Sequence, residues 1–295
     1  MLSIAGSDSG GGAGIQADLK AFARCGTHGM TALTALTAQN TVGVTGVHPV
    51  PGEFIVEQVR AVVDDIGADA VKIGMLGSSD TVAAVAAALD LLPPGTPVVL
   101  DPVMVAESGA VLLDDDARAA LVERLLPRVT VITPNVPEAR VLVRTAAELG
   151  TAGAAGAGGA AGAAGTADPA DADVETLVRA LHALGPRAVV VTGGHREEVV
   201  DVYYDGETLE EMPGRRHADG AAHGSGCTHS SALAAHLALG HSPLDSARAA
   251  KVIASEAVRD GLRDLGAGAG PVDVFGLARR VAQPSAGAAD GRRPA

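Results

Sequence analysis

Short runs of apolar, often β-branched residues alternate along the chain with longer stretches whose apolar residues recur at helical spacing. The runs Leu2–Ala5, Thr31–Thr37, Ala70–Ile73, Val98–Leu100, Thr130–Thr133 and Ala188–Thr192 read as strands. Gly14–Cys25, Gly52–Asp65, Ser79–Leu92, Asp114–Leu126, Val174–Leu184, Thr228–Leu239 and Pro243–Leu262 read as helices. Apolar strands separated by amphipathic helices predict an α/β fold, a doubly wound and mainly parallel sheet with helices on both faces. A ligand then belongs in the crevice outside the carboxyl ends of the strands. One stretch departs from the pattern. Val199–Met212 (VVDVYYDGETLEEM) holds two strand-like runs around Asp205-Gly206, a hairpin signal that predicts a small antiparallel element.

Two segments carry too little to join a core. Thr151–Ala167 contains only Gly, Ala and Thr, with six glycines opposing the helix that alanine favours, and reads as a flexible insertion in a surface loop. Residues 283–295 are rich in Ala, Gly, Pro and Arg and read as a disordered tail. Residues 1–282 are therefore expected to form one domain. At 295 residues the chain is long enough for a sizeable core.

Composition narrows the function classes. Charged residues make up 19% and hydrophobic ones 47%, which excludes a disordered chain. The 22 Lys plus Arg against 35 Asp plus Glu leave a net charge of −13, the wrong sign for a nucleic-acid binder or for docking on anionic membrane. Aromatics are 2%, so stacking platforms are scarce. Two cysteines make a disulfide framework unexpected and a reducing compartment the natural setting. With no signal-peptide pattern and no spanning apolar run, the expected location is the cytoplasm.

Three loops carry candidate chemistry. GSDSGGGAGIQADLKAF follows the first strand and opens a helix, so it offers backbone N–H groups and a helix N-terminus to a polar ligand. It is neither a Walker A motif nor an in-frame G-x-G-x-x-G, and a plain structural turn is the alternative. Asp18 is equally open between ligand binding and a surface carboxylate near a helix start. The second loop, AHGSGCTHSS, leads into another helix. Gly224 and Gly226 let N–H groups converge on phosphate oxygens without lysine, and Cys227 lies where a thiol's pKa tends to fall. A small buried cysteine at a glycine turn is the bland reading. In the third, TPNVPEA, Asn135 and Glu138 offer oxygen ligands suited to Mg²⁺, or else an N-cap with its glutamate reaching back. Asp101, at a strand end, is similarly ambiguous. His195 and His223 could orient a nucleotide, although no spacing resembles a zinc site. Met75 reads as a wall residue and Lys72 as a charge at a strand end.

In order, IAGSDSGGGAGIQADLK, TALTAQNTVGV, VKIGML, LDPVM, ITPNVPEA, GGH and HGSGCT resemble the ribokinase superfamily, and within it the bacterial hydroxymethylpyrimidine/phosphomethylpyrimidine kinases of thiamine biosynthesis. The resemblance runs from about residue 3 to residue 276 and implies a ribokinase-like fold using ATP and Mg²⁺. It implies a pyrimidine pocket of Gly6, Ala13, Asp18, Gln39, Met75 and Val103. Gly224, Ser225 and Gly226 correspond to the anion hole and Cys227 to the catalytic base. Asn135 and Glu138, with Asp101, correspond to the metal–phosphate network. Thr192, Gly194, His195 and His223 correspond to the nucleotide side. Thr192 stands where the family often has lysine, and Ser225 where threonine is commoner. The implied reaction is phosphorylation of 4-amino-5-hydroxymethyl-2-methylpyrimidine, then of its monophosphate, by a homodimer. Pyridoxal or pyridoxine kinase of the same fold is the alternative. A dinucleotide-dependent oxidoreductase lacks its fingerprint, and a non-catalytic pyrimidine sensor would have no need of Cys227 and Glu138.

Overall fold

The computed structural model describes residues 1–106, 109–151, 172–194, 199–218 and 220–277. Thr151 apart, the Ala/Gly insertion lies outside these residues, as do His195 and the tail from residue 283.

Nine strands form one sheet in the order β3-β2-β1-β4-β5-β6-β7-β8-β9. They are β1 (Leu2–Asp8), β2 (Met30–Gln39), β3 (Val44–Pro49), β4 (Val71–Ile73), β5 (Val98–Leu100), β6 (Val131–Ile132), β7 (Ala188–Val191), β8 (Val200–Tyr204) and β9 (Leu209–Pro213). Strands β2, β1, β4, β5, β6 and β7 run parallel. The expected hairpin is present as β8–β9, with β8 antiparallel to β7 and β9 antiparallel to β8. A second antiparallel element, β3 against β2, closes the opposite edge and corrects the expectation of a single ribbon. Its VTGVHP sequence is exposed at nearly every position, so no apolar run announces it.

Alternation within each strand sorts the core into two layers. Leu2, Ile4, Val71, Ile73, Leu100 and Ile132 face α2 (Gly52–Asp65), α3 (Ser79–Leu89), α4 (Asp115–Arg124), α5 (Val136–Glu148) and α6 (Val174–His182). Val99, Val131, Ala188 and Val190 face α1 (Gly14–Arg24), α7 (Ser225–Ala238) and α8 (Pro243–Arg259). Ser3 and Lys72 are register partners on this second side, where the alternation would otherwise put apolar residues. Helix α5 is absent from the sequence reading, because its start was legible only as a possible cap. Helix α7 begins at Ser225 rather than Thr228, so Ser225, Gly226 and Cys227 are its first turn and not a loop before it.

Strand β1 has β2 on one side and β4 on the other, so the chain reverses its winding direction there. A doubly wound sheet opens its crevice at such a switch point. No helix among the described residues is long and apolar enough to cross a membrane.

Candidate active site

A cleft of about 780 Å³ lies over the carboxyl ends of β1, β4, β5, β6 and β7. Gly6, Ala13, Gln39, Met75 and Val103 line it, as do Asp101, Asn135, Glu138, Thr192, Gly194, His223 and the Gly224–Cys227 turn. The structure thus brings together nearly every described residue that the sequence pointed to. The exception is Asp18. Its side chain is fully buried behind the wall, bonded to Ser3 Oγ (2.6 Å), Ser231 Oγ (2.7 Å) and Lys72 Nζ (2.8 Å). The correction has a physical cause: a carboxylate facing a buried ammonium is held there by that charge rather than released to a ligand.

The first loop is wound around one side chain. Asp8 accepts the backbone N–H groups of Gly10 (2.7 Å), Gly12 (3.0 Å) and Ala13 (2.8 Å), which leaves no slack between β1 and α1. Beside it, Gln39 at the end of β2 accepts from Thr37 Oγ1 at 3.2 Å and keeps its amide N–H₂ as a donor. Gly6 packs close to Met75, whose sulfur would lie 3.1 Å from a Cβ at that position.

The second loop ends in the N-terminus of α7. Gly224 is its N-cap at φ 85° and has no side chain to cap the helix. Ser225, assigned to the anion hole, donates its N–H to Ala222 O (2.9 Å), so the first-turn N–H groups left to an anion in the cleft are those of Gly226 and Cys227. A Cβ on Gly224 would run into the Gly12 carbonyl oxygen, so the two glycine turns touch backbone to backbone. His223 was assigned to the nucleotide side. Its ring instead faces the first loop, with Nε2 3.0 Å from Asp8 Oδ2.

Beneath the cleft floor Lys72 is wholly buried, with Asp101 Oδ2 at 3.8 Å in addition to Asp18. Burial alone would lower its ammonium, but Asp18, Cys227 and Asp101 outweigh that and hold it above the ordinary lysine range. Lys72 is thus not a charge at a strand end but the buried middle residue of β4. Burial raises the Asp101 carboxyl, against Lys72 and a 3.0 Å bond from Ser230 Oγ. Cys227 also departs from expectation. Burial pushes its thiol up to about 12, Lys72 opposes the rise, and Asp101 and Asp18 add to it. The helix start does not make a resting thiolate here.

Asn135 and Glu138 form a complete capping box on α5. Asn135 Oδ1 accepts from Glu138 N (2.9 Å), and Glu138 Oε2 accepts from Asn135 N (2.9 Å). The structural alternative is therefore realised. It does not use up the carboxylate: burial, then Asp101, pushes Glu138 up to about 8, against the bonds from Asn135 and Met104. Two carboxylates that repel each other and an amide oxygen are the oxygen donors a hard, hydrated cation takes. These residues fit Mg²⁺ as partners shared with phosphates. Among the described residues no cluster of three or more His, Cys, Asp or Glu forms a self-sufficient metal cage.

At the β7 end, Thr192 N–H donates to Pro134 O (2.8 Å), which joins the third loop to this one. Asp201 Oδ1 accepts from Gly193 N and sits 2.9 Å from Lys251 Nζ. His229 is buried, which lowers its pKa, and neither ring nitrogen has a hydrogen-bond partner.

The model of the family described as phosphomethylpyrimidine kinase matches residues 8–158 and 160–273. The chain belongs to that family. The hydroxymethylpyrimidine/phosphomethylpyrimidine kinase of Rhizobium meliloti is 44% identical over 277 residues, covering 93% of this chain and 96% of that protein. Among solved structures, pyridoxal kinase from Staphylococcus aureus in complex with ADP superposes with a TM-score of 0.77 at 31% identity, covering 94% of each chain. Phosphomethylpyrimidine kinase from Clostridium difficile superposes at 0.68 with 36% identity, covering 87% of this chain and 98% of that one. These likenesses fit the ribokinase-like α/β fold described above.

For this family member, sequence reasoning passed over Asp8, Asp201, His229 and Lys251, and misread Lys72. Asp8 had a usable signal, since an aspartate just ahead of three glycines can gather their N–H groups. Lys251 is one of three cations in α8, but it follows the buried Ala250 and lies one turn beyond the buried Ala247, on the helix's apolar side. Asp201 and His229 carry no such mark.

A thiol held near pH 12 reacts through a small and steadily growing thiolate fraction. Alkylation of Cys227 by iodoacetamide in the ligand-free protein, followed by mass spectrometry, is expected to keep accelerating from pH 7 to pH 10. A plateau beginning below pH 8 would show a depressed thiol and reverse the assignment.

Proposed function

We propose that the chain transfers the γ-phosphoryl group of ATP to the hydroxymethyl oxygen of 4-amino-5-hydroxymethyl-2-methylpyrimidine, and then phosphorylates the monophosphate to the diphosphate. The observation that carries this reading is a single cleft in which the first glycine loop and the N-terminus of α7 touch at Gly12 and Gly224. An acceptor held by one and a phosphate held by the other are then neighbours. The ADP complex of the Staphylococcus aureus structural relative supports a nucleotide in this cleft. Two free cysteines fit a reducing cytoplasm, and a homodimer belongs to the same reading.

In the transfer, the bond from phosphorus to the hydroxymethyl oxygen forms while the bond to ADP breaks, and the hydroxyl proton leaves. Such transfers depend on positioning and on neutralising charge spread over the phosphoryl oxygens. The α7 N–H groups of Gly226 and Cys227 meet that charge. Mg²⁺, when bound, neutralises the phosphates further, and Asn135, Glu138 and Asp101 would hold it. Thr192 and Gly194 lie toward the nucleotide. Cys227 is the proposed proton acceptor as its thiolate, a minor species in the ligand-free site whose formation Lys72 favours against burial. Cys227→Ala is expected to lower kcat by roughly 10²–10⁴-fold, the size of a lost general base. Turnover near wild type would pass the proton to Asp101.

Gln39 supplies the specificity. An aminopyrimidine presents an N–H donor beside a ring-nitrogen acceptor, and a carboxamide pairs with both. Pyridoxal kinase is the second reading, favoured by the TM-score of 0.77 to a pyridoxal kinase. Product analysis with ATP–Mg²⁺ is expected to give the pyrimidine monophosphate and diphosphate at higher kcat/KM than pyridoxal phosphate; the reverse order would select the second reading. Gln39→Leu should shift that ratio toward pyridoxal by about 5- to 150-fold, the equivalent of one unpaired buried amide. A constant ratio would remove Gln39 from the pocket.

A further inference from the structure

Resting on the phosphoryl-transfer reading, we infer that Asp8 and His223 are a positioning pair whose hydrogen bond sets the acceptor loop in register with the phosphate-binding turn.

Each partner is the fixed point of its own loop. Asp8 holds Gly10, Gly12 and Ala13 by their N–H groups, so the acceptor side follows wherever its carboxylate goes. His223 immediately precedes Gly224, the N-cap of α7. Its N–H donates to Gly270 O (3.3 Å) and its carbonyl accepts from Val272 N–H (3.0 Å), which fixes its backbone from the far side. Between the two, His223 Nε2 donates to Asp8 Oδ2 at 3.0 Å, both side chains being buried. A carboxylate only accepts, so the proton is on Nε2. Burial would raise the Asp8 carboxyl, yet bonds from His223, Ala13 and Gly10 keep it below the usual carboxylate range.

The contact has no tolerance for adjustment. A Cβ on Gly12 would collide with the His223 ring, and one on Gly224 with the Gly12 carbonyl. The two turns therefore meet at a spacing set by backbone contact, by this bond and by the Gly14 N–H that reaches the Cys227 sulfur. Loss of the Asp8–His223 bond leaves each loop its own ligands but loosens their mutual alignment. In-line transfer is sensitive to displacements of about 1 Å, which cost up to about 100-fold in rate without loss of binding.

The test is steady-state kinetics of H223L, H223N and H223Q with ATP–Mg²⁺ and the pyrimidine. H223L is expected to lower kcat on the order of 10- to 100-fold while both KM values stay within a few-fold of wild type. Glutamine puts an amide N–H near the position of Nε2 and should restore most of kcat; asparagine is too short and should not. Combining D8N with H223L should reduce kcat no further than the worse single variant, since both remove one interaction. If H223L fails to fold, H223N against H223Q carries the comparison. Equal kcat in those two, or a wild-type kcat per folded molecule in H223L, would overturn the inference, as would a rise in KM with kcat unchanged. Wild-type protein that yields no phosphorylated product takes down the kinase reading, and the pair's role with it.

Discussion

The buried ammonium of Lys72 is the charge around which the rest of the cleft is arranged. It stands on β4 with no exposure to solvent, in the layer whose apolar members include Phe22, Val99, Val131 and Leu233. A charge so placed is tolerable only when opposite charges and hydrogen bonds surround it. Asp18 from α1 and Asp101 from the end of β5 supply the charges. Ser3, Ser230 and Ser231 supply hydroxyls to those carboxylates. One cation thereby fixes the relation of β1, β4, β5, α1 and α7, the elements that carry both glycine turns. The arrangement is costly to break on one side alone, because any single deletion leaves a buried charge without its partner.

Above that layer, electrostatics divides the cleft by function. The α7 end offers uncapped N–H groups and the nearby Lys72, both favourable to anions. The third loop offers Asp101 and a Glu138 whose carboxyl is pushed up to about 8, first by burial and then by Asp101, oxygens suited to a cation. The acceptor side presents Gly6, Ala13, Met75 and the amide of Gln39, its one carboxylate, Asp8, being taken up by the N–H groups of its own loop. A metal–phosphate ligand at one end and an uncharged heterocycle at the other is the distribution this surface accepts.

Much of this was legible in the sequence. The parallel core strands and most helices follow from apolar runs and helical spacing, and the glycine turns stand out because so many glycines fall at strand-to-helix junctions. What escaped detection has physical reasons. β3 is exposed at nearly every position and has no apolar signature. Lys72 reads as a strand-end charge because nothing near it in sequence announces Asp18, 54 residues away. Asp18 was placed in the pocket because its motif lies there, although its side chain turns inward. Cys227 was expected to be acidic from its helix position, a local argument that burial between two carboxylates overrides. Local chemistry is readable from sequence; charges that meet across the sheet are not.

The distance along the chain between the two halves of the cleft bears on how the molecule is made. Asp18 and Lys72 are 54 residues apart, whereas Asp8 and His223 are separated by 215. Closing the longer loop waits on α7, and contacts of such separation form late in folding. A chain emerging N-terminus first can therefore assemble β1, β2 and β4 with their internal ion pair while Asp8 still lacks His223. The Ser231 hydroxyl on Asp18, 213 residues distant, arrives with the same helix. Docking of α7 thus both seals the buried charges and brings the phosphate-binding turn against the acceptor loop, and α8, with its buried Ala247 and Ala250, follows it to complete that side of the core.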